Sequence, residues 1–315
     1  MAKGCFGVDV GGTTVKIGYF DSEADLVHKW EIPTRKENHG AYILSDIAEA
    51  LKAEMKARDL GPEDILGVGM GIPGPVTGNG VVNRCVNLGW PVFEVEKAFS
   101  ELFFGLPMKA GNDANVAALG EAWYGGGKDY TSLVMITLGT GVGGGVIIDR
   151  TIVNGFAGAA GEIGHIKIYP YAKKKCTCGN IGCLEQIGSA TGISNRAKEL
   201  MEDTEIPSAL RGKENITAKD VLDLHGRDEL ADRVIEDMVE TMGRAMNAIS
   251  CVIDPEAFLI GGGVSKAGSW LMEALDERFH AYAFHACRRT HVVGAELGND
   301  AGIYGAQALV RQITQ

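Results

Sequence analysis

The chain has 315 residues, 45 % hydrophobic and 23 % charged, with 44 glycines, seven cysteines and a formal net charge of −11. That length exceeds one comfortable hydrophobic core, so two domains are expected, and the apolar balance is that of a soluble globular protein. The acidic balance, with no basic block beyond Lys173-Lys174-Lys175, argues against a nucleic-acid partner, and scattered thiols (Cys5, Cys85, Cys251, Cys287) argue against a disulfide framework.

Residues 4–10 form an apolar run that leads into Gly11-Gly12-Thr13-Thr14 and leaves as Val15-Lys16-Ile17-Gly18-Tyr19-Phe20, which predicts a β-hairpin with a Gly/Thr tip. Residues 26–32 supply a third strand. Ile43, Ile47, Leu51 and Met55 recur every four residues and predict a helix that Gly61-Pro62 stops. Residues 65–70 read as a strand ending in the rigid turn Gly71-Ile72-Pro73-Gly74-Pro75. A strand near Met108 leads to Gly111-Asn112-Asp113, where a helix running to about Trp123 begins.

The hairpin theme then returns. Residues 132–138 form a strand, residues 139–145 a Gly-rich turn, and Val146-Ile147-Ile148 the return strand. Two copies roughly 130 residues apart suggest a duplicated α/β unit. Residues 130–148 are uncharged, but they hold five glycines and three threonines and read as strands, not as a membrane span. No basic-then-apolar leader precedes Asp9, so a cytoplasmic protein with no membrane partner is expected. Farther on, Leu230, Val234, Met238, Met242, Met246, Ile249 and Ile253 predict a long amphipathic helix ended by Pro255, with its methionines in the core. Phe258-Leu259-Ile260 is a strand opening into Gly261-Gly262-Gly263, and Asp300 is expected to cap a last helix over 301–313.

Gly/Thr turns present successive backbone N–H groups and hydroxyls to one point, which suits phosphate oxygens. Asp9 stands where a carboxylate could hold Mg²⁺, and Lys16 is open to two readings, a phosphate contact or a surface residue. The run Gly139-x-Gly141-x-x-Gly144 satisfies a dinucleotide pattern, but it opens a strand and not a helix, so that fold is rejected. Three glycine tips, each following an apolar strand, favour phosphate gripping over plain hairpins.

At the strand-to-helix junction, Asp113 is either the helix N-cap or the general base of a phosphoryl transfer; spacing does not choose between them. The sharper signal is Cys176-x-Cys178-x₄-Cys183 with His165 eleven residues upstream, three thiols and an imidazole that complete a tetrahedral structural zinc site. Glu162 and Glu185 flank it as acceptors suited to a polyol.

Together these elements resemble the ROK family of sugar kinases and sugar-responsive repressors, within the actin/hexokinase superfamily. The resemblance rests on Asp9-Val10-Gly11-Gly12-Thr13-Thr14, Gly71-Ile72-Pro73-Gly74, Gly111-Asn112-Asp113-Ala114-Asn115, Leu138-Gly139-Thr140-Gly141-Val142-Gly143, Glu162-Ile163-Gly164-His165, the run from Cys176 to Glu185, and Gly261-Gly262-Gly263. It implies a duplicated ribonuclease H-like α/β fold of two domains with an interdomain cleft, expected as 1–115 plus 300–315 and 116–299, the larger carrying the zinc motif. It also implies that Asn112, Asp113, Glu162, His165 and Glu185 bind a hexose, Asp113 taking the proton of its 6-hydroxyl. Asp9, Gly11, Gly12, Thr13, Thr14, Lys16, Gly139, Thr140 and Gly141 would serve ATP and Mg²⁺, with Gly261, Gly262 and Gly263 along the adenosine. His165, Cys176, Cys178 and Cys183 would hold structural Zn²⁺, and a homodimer or homotetramer is expected. Asn87-Leu88-Gly89-Trp90 is similar to the bacterial glucokinases of the family, which implies glucose, with N-acetylmannosamine, fructose and allose as alternatives. The non-enzymatic alternative is a sugar-sensing regulator, for which no helix-turn-helix precedes the first strand.

Overall fold

The structure, a computed structural model, describes residues 3–314. It divides into two compact units: one holds the chain up to Thr131, Gly145–Gly161 and everything from Leu297 onward, and the other holds Ser132–Gly144 and Glu162–Glu296.

In the first unit, β1 (Gly4–Val10), β2 (Thr14–Phe20) and β3 (Leu26–Pro33) form an antiparallel meander. β4 (Ile65–Ile72) then lies parallel to β1. A small antiparallel pair, β5 (Val81–Val82) and β6 (Phe93–Glu94), precedes β7 (Met108–Asn112), which runs parallel to β4. The sheet order is β3-β2-β1-β4-β7. The central strands β1 and β4 are buried along almost their whole length, as apolar runs covered on both faces must be, whereas the edge strand β3 is mostly exposed. One face is covered by the helix Ile43–Ala57, which buries the predicted stripe of Ile43, Ile47, Leu51 and Met55. That stripe joins Phe6, Val8, Met70, Phe99 and Phe103 in the core. Leu88 and Trp90 of the sequence's glucokinase-like motif lie in the same core, with the Trp90 indole donating to the Gly40 carbonyl at 3.0 Å.

Elsewhere in this unit backbone meets backbone. A Cβ on Gly7 would fall 2.2 Å from the Ile303 carbonyl oxygen, and one on Gly69 would fall 1.6 Å from that of Ala306. The helix Ala301–Arg311 therefore beds on β1 and β4 where those strands have no side chain. It meets the helix Asp113–Tyr124 equally closely: Gly120 faces the Ala301 carbonyl at 2.2 Å and Gly305 faces that of Val116 at 1.7 Å. The boundary expected at residue 115 falls inside Asp113–Tyr124, and this interlock keeps that helix whole within the first unit.

The second sheet repeats the first. It comprises β8 (Leu133–Leu138), β9 (Val142–Ile148), β10 (Thr151–Ile152), β11 (Ala257–Gly261) and β12 (His291–Gly294), in the order β10-β9-β8-β11-β12. β11 runs parallel to both β8 and β12, and β10 antiparallel to β9, as in the meander-then-parallel pattern of the first sheet. This repeat is the duplicated α/β unit expected from the two hairpins, in the ribonuclease H-like fold that the family resemblance implies. β9 starts four residues earlier than expected, because Val142 to Gly145 already lie in the strand; glycines have no side-chain pattern from which to read it.

Among the second unit's helices, Glu229–Ile253 matches the expected span, and Met238, Met242 and Met246 are all fully buried. It ends at Asp254, whose φ of 50° is left-handed, just before Pro255. The helices Ala190–Asp203 and Ser269–Tyr282 complete the unit. Asp300 precedes the last helix but makes no side-chain cap; its carboxylate is taken by Lys29 at 2.8 and 2.9 Å. That helix stops at Arg311, and Gln312–Thr314 tighten into a 3₁₀ turn. No helix of the described residues is long and apolar enough to cross a membrane.

The interlock makes Gly305 a stringent test. Gly305→Ala should lower the melting temperature by several degrees, since a methyl group against the Val116 backbone forces an overpacking cost of about 1–3 kcal/mol; thermal unfolding of the variant measures it.

Candidate functional site

The first Gly/Thr tip is closed by the Gly11 amide donating to the Thr14 carbonyl at 2.9 Å. Thr34 pins the tip from outside, its amide bonding to the Thr13 carbonyl at 2.9 Å and its hydroxyl to that of Gly11 at 2.7 Å. A Cβ on Gly12 would meet nothing within 4 Å, so the tip faces open space. Asp9 and Lys16 are cross-strand partners below it. Burial pushes the Asp9 carboxyl above its ordinary pKa, opposed by the Lys16 charge. The Lys16 ammonium itself donates to the Asn299 carbonyl at 3.2 Å.

In the second unit, the Gly139 amide closes the other tip on the Gly141 carbonyl at 3.0 Å. The start of Ala190–Asp203 holds this tip in place. The Ala190 amide donates to the Gly139 carbonyl at 2.8 Å and the Thr191 hydroxyl to that of Thr140 at 2.9 Å. The glycine run after β11 turns at Gly262, whose φ is 90° and where a Cβ would fall 2.5 Å from the Leu138 carbonyl, so only glycine fits beside β8. Beside it, Gly263 has nothing within 4 Å of a built Cβ.

The junction after β7 divides two tasks between neighbours. Asn112, not Asp113, is the N-cap: its Oδ1 accepts the amides of Ala114 at 3.1 Å and Asn115 at 3.2 Å. Its amide group donates to the Gly74 carbonyl at 3.2 Å and to Asp113 Oδ1 at 3.0 Å. Asp113 is thus released from capping and becomes the first helical residue. Its Oδ1 also accepts the Ala114 amide at 2.8 Å, so two donors fix the plane of the carboxylate. The rigid turn at Gly74 and the helix start are thereby locked together within the first unit.

The predicted metal ligands converge. One ligand atom from each of His165, Cys176, Cys178 and Cys183 lies within 4.8 Å of all the others. Cys178 and Cys183 sulfurs are 3.5 Å apart, and Cys176 Sγ lies 3.7 Å from His165 Nδ1. Ligands at about 2.3 Å on a tetrahedron stand roughly 3.8 Å apart, so this set fits a closed four-coordinate ion. The thiols are free, and hydrogen bonds from Asn180 draw the exposed Cys178 thiol below its ordinary pKa, toward the thiolate that a metal needs. Gly179 and Gly182, with φ near 88° and 89°, turn the chain around the cluster.

Glu185 joins this knot to the second tip. Its Oε2 accepts the Val142 amide at 3.1 Å, and Cys176 Sγ lies 3.8 Å from its Oε1. A Cβ on Gly141 would fall 2.3 Å from the same Oε2, so glycine leaves the carboxylate its place. Glu162 is exposed and opens the short turn Ile163–His165, where the His165 amide donates to its carbonyl at 3.1 Å. Sequence reasoning missed Gln186. Its Oε1 accepts the amides of Gly182 at 2.8 Å and Cys183 at 3.1 Å, while its amide group donates to the Lys174 carbonyl at 2.8 Å. The only available signal was its place three residues after the last thiol.

The sequence profile of the ROK family matches residues 5–313. A glucokinase from Halalkalibacterium halodurans is 41 % identical over 312 residues, covering 97 % of this chain and 94 % of the relative. Among solved structures, the ROK hexokinase from Thermus thermophilus superposes with a TM-score of 0.82 at 28 % identity, covering 99 % of each chain. The ROK family glucokinase from Streptomyces griseus, in complex with glucose and AMPPNP, superposes with a TM-score of 0.74 at 30 % identity, covering 98 % of this chain and 99 % of that one.

Replacing Asn112 with Ala removes the acceptor for two helix amides and both of its donations. Denaturant unfolding should show a loss of about 1–2 kcal/mol, most of it recovered by Asn112→Ser, which keeps a cap acceptor.

Proposed function

Because the chain belongs to the ROK family, we propose that it is an ATP-dependent glucose kinase, transferring the γ-phosphoryl group of ATP to the 6-hydroxyl of glucose. The observation that carries this reading is the end-to-end kinship with proteins named as glucokinases, at 41 % identity in the first case. The geometry of Asp113 agrees with it: a carboxylate freed from capping, with its plane set by Asn112 and Ala114, is what proton abstraction from a hydroxyl requires.

In this reading Asp113 accepts the proton of the 6-hydroxyl as that oxygen bonds to the γ-phosphorus, and the bond to the bridging oxygen breaks to leave ADP. Asn112, Glu162, His165 and Glu185 serve the sugar, the two carboxylates as acceptors for its hydroxyls and Asn112 beside Asp113 at the helix start. The amides of Gly11, Gly12, Thr13 and Thr14 and those of Gly139, Thr140 and Gly141 are phosphate-binding groups, with Lys16 beside the first tip and Gly261, Gly262 and Gly263 serving the adenosine. Mg²⁺, when bound at Asp9, supplies charge neutralisation on the phosphates. His165, Cys176, Cys178 and Cys183 would hold structural Zn²⁺, whose binding would contribute folding energy to a loop of low apolar content, and His165, with one ring nitrogen so committed, would offer the other to the sugar. A homodimer or homotetramer belongs to the same reading.

A panel of glucose, N-acetylmannosamine, fructose and allose with ATP and Mg²⁺, followed by ADP release, tests the reaction. Glucose should give the highest kcat/KM; a panel with no turnover would favour the sugar-sensing alternative. Asp113→Asn should lower kcat by about 10²-fold or more while calorimetry still detects glucose binding; retained turnover would remove Asp113 from the role of base. Cys178→Ala should drop the zinc content of the purified protein toward zero and raise the glucose KM, as metal analysis and steady-state kinetics would show.

A further inference from the structure

Asp9 is partly buried, and its carboxylate accepts no hydrogen bond from a described residue. What lies against it is Gly302, the buried second residue of the helix Ala301–Arg311. A Cβ built there would fall 2.6 Å from Asp9 Cγ, 2.7 Å from Oδ2 and 3.0 Å from Cβ. No backbone atom is among those nearest neighbours. The obstruction is one side chain, the Asp9 carboxyl group together with its strand-fixed Cβ.

Gly305, three residues on in the same helix, differs. Its built Cβ meets the Val116 carbonyl oxygen at 1.7 Å and the Gly120 amide at 2.9 Å, so that glycine serves helix packing. At Gly302 a methyl group would displace the Asp9 carboxyl group by rotation and leave a tight 3.0 Å contact with its Cβ, on a helix where alanine is otherwise the better former. The closest contacts that glycine avoids here are thus with the Asp9 carboxyl group, not with a facing backbone. The segment just before it holds the opposing charge as well, since the Lys16 ammonium donates to the Asn299 carbonyl at 3.2 Å. A hard oxygen donor kept in a cradle and left without a hydrogen bond suits Mg²⁺, which is commonly bound through one or two carboxylates together with substrate phosphates.

We propose that Gly302 is a positioning residue of the phosphoryl-donor site: its missing side chain is the space that keeps the Asp9 carboxylate turned toward Mg²⁺–nucleotide. This rests on the donor-site reading of Asp9 given above. Gly302 touches neither metal nor nucleotide and acts only through Asp9.

Calorimetric titration of Mg²⁺–AMPPNP into the wild type, Gly302→Ala, Asp9→Asn and the double variant, with thermal unfolding of each, tests it without any turnover. Gly302→Ala should lose less melting temperature than Gly305→Ala yet bind Mg²⁺–AMPPNP roughly tenfold more weakly or worse, the usual effect of losing a residue that orients a metal ligand. In the Asp9→Asn background the same change should add nothing, because its target is already gone. Unchanged affinity in Gly302→Ala, a further loss in the double variant, or a variant that melts low like Gly305→Ala would overturn the assignment. Failure of the kinase reading has a different signature, the absence of phosphorylated sugar from the wild type, and does not affect this comparison.

Discussion

The first unit depends on bare backbone contact. The helix Ala301–Arg311 lies on β1 and β4 at Gly7 and Gly69, and against Asp113–Tyr124 at Gly120 and Gly305, with built Cβ positions 1.6 to 2.2 Å from the facing carbonyl oxygens. Side chains of any size would hold these elements apart. Because they are absent, one helix fixes both the strand that carries Asp9 and the helix that begins with Asp113. A glycine content about twice the usual 7 % follows from this construction and from the tips together. Glycine in a strand or helix is locally unfavourable, so close packing must offset it.

The second unit solves a different problem. The stretch from Lys173 to Ile181 is exposed apart from Cys176 and has little apolar surface to bury. Gln186 binds this loop at three backbone points, and the four candidate ligand atoms converge beside them. Glu185 then carries that order onward, with one oxygen on the Val142 amide and the other beside Cys176. Thr191 and Ala190 grip the same hairpin tip from the opposite direction. Any ligand that orders the metal loop will therefore also order the tip, because Glu185 is shared between them.

Much of this was legible in the residues. The two hairpins, the helix Ile43–Ala57 and the long helix Glu229–Ile253 follow from side-chain periodicity, and the convergence of His165, Cys176, Cys178 and Cys183 follows from spacing. What could not be read was either featureless or distant. The start of β9 lies in glycines, which carry no alternation. Asp113 and Asn112 are adjacent and both suit an N-cap, so only coordinates reveal that Asn112 takes the amides. Asp300 looked like a cap, but Lys29, 271 residues away in sequence, claims its carboxylate. The Lys16 contact with Asn299 and the cradle at Gly302 are likewise contacts between chain ends, with no local signature.

The account stands on a phosphoryl group reaching one particular oxygen of the sugar. Phosphorus NMR of the protein incubated with ATP, Mg²⁺ and glucose observes that directly. A new phosphomonoester resonance coupled to the two protons on C6, growing as the γ-phosphate of ATP disappears, is the predicted result. Loss of the γ-phosphate to inorganic phosphate alone, or an ester on any other carbon, would contradict it.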